Sequence, residues 1–401
     1  MSDISIPCVL YRGGTSRGLL FLESALPYPR DVIAQVLLRA FGSPDARQID
    51  GVGGGTSLTS KAMIVGRDAA PDTDVHMLFA QVGVSASTVD WGGNCGNMTS
   101  AVGPFAIESG LVRPVEPITT VRIRSMNTGV LVHSHVPVRN GRVSTDGDYQ
   151  IAGVNGRAAR IDLEWLEPGG STTGRGTLPT GHARDRFLLA SGRTIEVSIV
   201  DAANPVVFCA ASALGLTGTE LPAALEEQSA ATAMLEEIRS IAGEVLGIVP
   251  DRTVATSVSP GLPKVAFVSP PMAYTTSSGD VLTADTHDVH ARLMSMQTAH
   301  RAYAGGASIC TAVAACIPGT LVHECASGGT FDPSRFRIGH PAGILDVRVS
   351  LRNVDGQPHV LSATVARTAR RIMSGEVWVP ESLVVQPMAH RSVANPAVSG
   401  L

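Results

Sequence analysis

Charge is scarce in this chain: Asp, Glu, Lys and Arg make up 16% of its 401 residues, and the formal net charge is -4. No block of lysines and arginines offers the dense phosphate neutralisation of non-specific nucleic-acid binding, which argues against a nucleic-acid partner. Any anionic ligand has to be gripped locally. Aromatic residues are scarcer, at 4%. No apolar run approaches the ~20 residues of a membrane span, and Met1-Ser2-Asp3-Ile4-Ser5-Ile6-Pro7 lacks the basic and apolar regions of a secretory signal. No membrane partner is expected, and the expected compartment is the cytoplasm. The six cysteines, at 8, 95, 209, 310, 316 and 325, contain no CxxC pair. They read as reduced thiols rather than a disulfide framework or a zinc site, and no metal is expected.

What the chain does have is Gly, Ala and Val in short runs, and three motifs that occur twice in the same order. Arg12-Gly13-Gly14-Thr15-Ser16-Arg17-Gly18-Leu19-Leu20-Phe21 is echoed by Val200-Asp201-Ala202-Ala203-Asn204-Pro205-Val206-Val207-Phe208. Leu58-Thr59-Ser60-Lys61-Ala62-Met63-Ile64-Val65 is echoed by Gly261-Leu262-Pro263-Lys264-Val265-Ala266-Phe267-Val268. Gly93-Asn94-Cys95-Gly96-Asn97-Met98 is echoed by Ala304-Gly305-Gly306-Ala307-Ser308-Ile309-Cys310. Such a repeat implies two similar domains with a cleft between them. In this alignment Cys95 falls opposite Gly305, so the cleft holds one thiol and calls for asymmetric chemistry.

Apolar patterning predicts strands at 8–11, 62–65, 121–124, 130–132, 195–200, 266–268 and 345–349. It predicts helices at 31–41, 98–108, 223–241, 286–296 and 309–315. The fold class is therefore α+β: two pseudo-symmetric domains, each a barrel-like sheet around a central small-residue helix. Turn residues at 179–185 place the joint there. Residues 1–184 form the first domain, completed by 376–401, and residues 185–375 form the second.

Gly92-Gly93-Asn94-Cys95-Gly96-Asn97 stands directly before a helical run, so Cys95 sits at a helix N-terminus, where the dipole favours thiolate. The same helix start can hold a substrate carboxylate on the amides of Gly96, Asn97 and Met98. Most cytoplasmic cysteines are small buried hydrophobes, and the other five, set in apolar runs, read that way. Lys61 opens an apolar strand after Gly53-Gly54-Gly55 and a cluster of hydroxyls. A lone lysine there is usually a strand-edge residue, but Lys264 occupies the matching place in the second copy, so both are expected to face the cleft. Partial desolvation lets such a lysine act as a base, while its mate fixes a carboxylate by charge. Thr15, Ser16 and Arg17 belong to a loop suited to gripping a carboxylate. Neither GxxxxGK[ST] nor GxGxxG is met, so no nucleotide cofactor is expected. Histidines 182, 300 and 340 lie beside turns, where a structural role is commonest, and His340 is the best placed to touch a ligand.

At these motifs the chain resembles the PrpF family, which includes 2-methylaconitate isomerase, 3-methylitaconate delta-isomerase, 4-oxalomesaconate tautomerase and aconitate isomerase. The matching pieces run from Pro7-Cys8-Val9-Leu10-Tyr11-Arg12 through Asp90-Trp91-Gly92-Gly93-Asn94-Cys95 and Gly339-His340-Pro341-Ala342-Gly343 to Arg367-Thr368-Ala369-Arg370-Arg371. The resemblance implies a diaminopimelate epimerase-like fold and a cofactor-independent isomerase. Such an enzyme shifts or isomerises a C=C bond in an unsaturated di- or tricarboxylate. It carries the catalytic roles onto Lys61 and Cys95 and a substrate-gripping asparagine onto Asn204. Asn94, Lys264, Gly306, Ser308, Ile309 and His340 complete the expected binding set. Arg17 departs from the lysine the family commonly has there. The expected partner is a small unsaturated polycarboxylate, with a homodimer left open. A racemase of the same fold and a non-catalytic carboxylate-binding protein are the other readings.

Overall fold

The computed structural model describes residues 2–326, 330–354 and 357–384. In the first half, β1 (Asp3–Gly13) turns back into β2 (Ser16–Leu22), and β2 runs parallel to β3 (Lys61–Arg67). β4 (Val75–Val82) returns antiparallel to β3, β5 (Ile118–Ser125) lies parallel to β4, and β6 (Leu131–Arg139) and β7 (Ile161–Leu166) follow antiparallel. The second half opens with β8 (Asp185–Leu188) and then repeats this path. β9 (Thr194–Ala202) and β10 (Asn204–Ala210) form the hairpin, and β11 (Lys264–Ser269) lies parallel to β10. β12 (Val289–Ser295) returns antiparallel, β13 (Phe336–His340) lies parallel to β12, and β14 (Gly343–Val354) and β15 (Gln357–Arg367) close the series. β7 pairs with β15, joining the halves, and β16 (Ala369–Pro380) crosses back to pair along β1. Residues 385–401 of the segment expected to complete the first half lie outside the described residues.

The repeat extends to side chains that the motif comparison did not reach. Arg122 on β5 forks onto Asp74 beside β4, and Arg337 on β13 forks in the same way onto Asp288 beside β12, each with an Nη2–Oδ1 distance of 2.7 Å. Each parallel pair needs a crossover. α1 (Arg30–Phe41) lies on the first and α3 (Ser229–Val245) on the second, each burying an apolar stripe in its own cluster.

Two central helices complete the frame: α2 (Gly96–Glu108) in the first half and α4 (Gly305–Ala315) in the second. Every residue of α4 is buried, as is every residue of α2 but the last. Their Ala, Gly, Ser and Thr content lets strands close around them, as where Gly103 leaves room for Ser134 of β6. α2, α4 and the strands around them share one hydrophobic cluster. The architecture is the two-lobed, diaminopimelate epimerase-like fold.

Two sequence expectations change. The helix expected over 223–241 is broken at 227–228 and continues to Val245. Residues 286–296 are chiefly strand β12, because Val289, Ala291 and Leu293 alternate with buried His290 and Arg292. That period of two is a strand's, and burial on both faces hides it among apolar residues.

Candidate active site

The helices α2 and α4 meet end to end at their N-termini. A Cβ on Gly96 would lie 2.9 Å from the carbonyl carbon of Gly305, and one on Gly305 would lie 3.0 Å from Cα of Gly96. Only glycine allows this approach. The first intrahelical bonds are Thr99 N–H to Cys95 O at 2.9 Å and Ser308 N–H to Ala304 O at 2.8 Å. The amides of Gly96, Asn97 and Met98, and of Gly305, Gly306 and Ala307, therefore precede both ladders. Two positive dipole ends facing each other at close range favour an anion between them.

The cap positions correct the repeat alignment by one residue. Cys95 caps α2 and Ala304 caps α4, so the mate of Cys95 is Ala304 rather than Gly305. The opposing position still carries no thiol. The shift also removes two expected donors: the Ser308 amide is used within α4, and Ile309 lies in the core, as does the side chain of Met98.

A cavity at this junction is lined by Ser16, Lys61, Gln81, Asp90, Asn94, Cys95, Gly96, Asn97, Lys264, His300, Gly305 and Gly306, among others. Lys61, 8% exposed, starts β3 beside Gly18 and donates from Nζ to Gln81 Oε1. The Gln81 amide is turned this way because its donor end, Nε2, is held by Ser60 O at 2.9 Å and Ser57 O at 3.2 Å. Burial lowers the Lys61 pKa below the ordinary 10.5, with charge at Cys95 and Asp90 acting the other way. Lys264, matching Lys61 at the start of β11, is pushed down to about 8 by burial and by the charge of Lys61. These are the only two lysines in the chain. That count was the available signal that neither belongs to a solvated surface.

Buried polar groups normally find partners, and two on this cavity, Ser16 Oγ and Asn94 Nδ2, have none among the described residues.

Other expected site residues are placed differently. Asn204 does not line the cavity; its Oδ1 accepts from Asn94 N–H at 3.0 Å and its Nδ2 donates to Asn94 O at 3.1 Å. The Asn97 side chain is engaged by Thr15 Oγ1 at 2.9 Å and Arg367 Nε at 3.0 Å, so a ligand meets its backbone. Arg17 is not among the lining residues, and its Nε is buried and unpartnered among the described residues. Thr15 and His340 line a separate cavity. Gln81, Asp90 and His300 were missed as site residues, because pairing register and loop course bring them in, and the sequence carries no local sign of either. His300 accepts from Ala302 N–H at Nδ1, 3.1 Å, and burial together with Lys61 lowers its pKa to about 3. It is therefore a neutral imidazole with its proton on Nε2.

The fold and this site define a two-lobed protein whose facing helix ends meet at a cavity holding two lysines and a half-buried thiol. The PrpF protein family model matches residues 3–380, and the chain belongs to that family. It is 43% identical over 387 residues to the 3-methylitaconate isomerase of Eubacterium barkeri, covering 96% of this chain and all of the relative. It is 39% identical over 390 residues to the 2-methyl-aconitate isomerase of Cupriavidus necator, covering 94% and 98%. A crystal structure of methylitaconate-delta-isomerase superposes with a TM-score of 0.77 at 41% identity, covering 98% of this chain and 100% of that one.

Proposed function

We propose that this isomerase transposes a C=C bond in an unsaturated polycarboxylate by allylic proton transfer, with Lys61 as the base and Cys95 as the acid. The supporting observation is the convergence of the chain's two lysines, one thiol and two helix N-termini on one cavity. Lys61 in its neutral form takes the allylic proton, and the C–H electron pair becomes the new double bond. The original π pair moves toward the conjugated carboxylate, giving a dienolate. The thiol of Cys95 delivers a proton to the far end of the allyl unit. The ammonium of Lys61 then returns a proton to the thiolate, and no electrons are gained or lost overall.

The barrier is dominated by charge accumulating on the dienolate. Charged Lys264, the amides at the head of α2 and α4, and the Nε2–H of His300 surround the place where it develops. Loss of one such donor typically slows turnover by about 10²-fold. A two-base racemase would need a proton carrier opposite Cys95, where Ala304 stands.

Proton NMR in deuterated buffer tests this reading, with 2-methylaconitate, 3-methylitaconate, 4-oxalomesaconate and the aconitates each offered to the enzyme. Isomerisation of one acid with deuterium entering its allylic position is the expected result. Recovery of every acid unchanged and without exchange would refute it.

A further inference from the structure

The reaction cavity is small, about 40 Å³, and a polycarboxylate of six or seven carbons has to extend beyond it. Two neighbouring spaces are available. The wider, about 750 Å³, shares Gln81, Met296 and His300 with the reaction cavity and is bounded by residues 55–58, 83–86 and 296–301. Its cation, Arg301, is already matched to Glu226 at 3.2 Å. The other, about 210 Å³, is lined by Thr15, Tyr149, Tyr303, His340, Asp346 and Arg367 among others.

Arg367 is 4% exposed and meets no carboxylate among the described residues. Its Nε donates to Asn97 Oδ1 at 3.0 Å and its Nη1 to Ala366 O at 2.9 Å, which leaves Nη2 without an acceptor among the described residues. Isolation in a poorly solvated place lowers its pKa to about 10. A buried, uncompensated guanidinium is costly unless an anion joins it. Two further donors border the same space. Thr15 Oγ1 accepts from Asn97 Nδ2, so its own O–H is free to donate. His340 accepts from Ala342 N–H at Nδ1, 3.2 Å, which puts the proton of the neutral ring on Nε2. Asp346, the acidic side chain on this lining, is matched to Arg335 at 3.3 Å. Asn97 ties the two cavities together: its backbone lies in the first turn of α2 and its side chain bridges Thr15 and Arg367.

From this geometry we infer that Arg367, Thr15 and His340 form a subsite for a third carboxylate, and that the substrate is a tricarboxylate rather than a dicarboxylate. The inference rests on the isomerase reading for its reaction but not for its test. Calorimetric titration with two unreactive acids, propane-1,2,3-tricarboxylate and glutarate, reads the subsite without turnover. At physiological ionic strength the wild type is expected to bind the tricarboxylate about a hundredfold more tightly than glutarate, as a charge-assisted fork to a buried arginine implies. In Arg367→Met the ratio is expected to fall to within about threefold of one, and in Arg367→Lys to retain about tenfold. A wild-type ratio near one would overturn the subsite, as would a Met variant that weakens both acids equally. If Arg367→Met does not fold, the wild-type ratio and Thr15→Val decide the question, the latter being expected to lower that ratio severalfold; an unchanged ratio in Thr15→Val would then overturn the subsite. Failure of every acid to exchange in deuterated buffer would remove the isomerase reading and leave these titrations intact.

Discussion

Asn204 on β10 holds both backbone polar atoms of Asn94, which precedes Cys95, so a residue of the second half fixes the start of α2 in the first. The clamp is buried, with Asn204 1% and Asn94 6% exposed. In Asn204→Ala the N–H and C=O of Asn94 lose their partners out of reach of water, at about 1–3 kcal/mol for each buried group left unsatisfied. Urea unfolding should register a loss of about 2 kcal/mol or more. The kcat should fall as well, because the Cys95 thiol next to the released Asn94 is misplaced.

Lys264 gives a pH signature. If its charge stabilises the dienolate while neutral Lys61 is the base, kcat/KM needs one proton on the pair and should fall at high pH, where Lys264 loses its own. Lys264→Arg should move that limb upward, because a guanidinium stays charged.

The same lysine should govern stability in the opposite sense. Its folded pKa, about 8, lies below the ordinary 10.5. Between these values the unfolded chain binds the extra proton, so stability contributed by this group rises with pH across that window. Lys264→Met should flatten the rise in urea midpoint between pH 8 and 10.5 and make the unliganded protein more stable at neutral pH, while lowering activity. A Met variant that is both inactive and less stable at neutral pH would contradict this.

Thiol labelling separates Cys95 from the rest. Burial holds Cys8 and Cys325 at about 11 and Cys209 and Cys316 at about 12, with Cys310 raised well above the ordinary thiol value. Cys95 is half-buried and opens on the cavity. Iodoacetamide at about neutral pH should modify Cys95 first and abolish turnover, and a saturating polycarboxylate should slow that reaction. Mass spectrometry of the peptides would show which thiol reacted.

Much of this fold was legible because its motifs occur twice. Lys61 and Lys264 mark equivalent strand starts, and a glycine-rich turn leads into each central helix. The small-residue run at 309–315 announces a helix that strands must enclose, though the helix itself starts at Gly305. What stayed hidden depended on register and loop course. Nothing local to Gln81 says that it stands across from Lys61, or that the turn after β12 brings in His300. The one-residue slip that set Cys95 against Gly305 has a similar origin: a glycine-rich turn aligns equally well in two frames until the helix caps fix one. Arg367 was visible as part of a motif, but its isolation from carboxylates is a property of packing.

The most direct test of the central claim is allylic exchange in deuterated buffer by Lys61→Met and Cys95→Ser, each first shown to melt cooperatively, using an acid that the wild type isomerises. With Lys61 as base and Cys95 as acid, Lys61→Met should lose both allylic deuterium uptake and product. Cys95→Ser should keep the uptake and lose most of the product. Full allylic exchange in Lys61→Met would contradict the account.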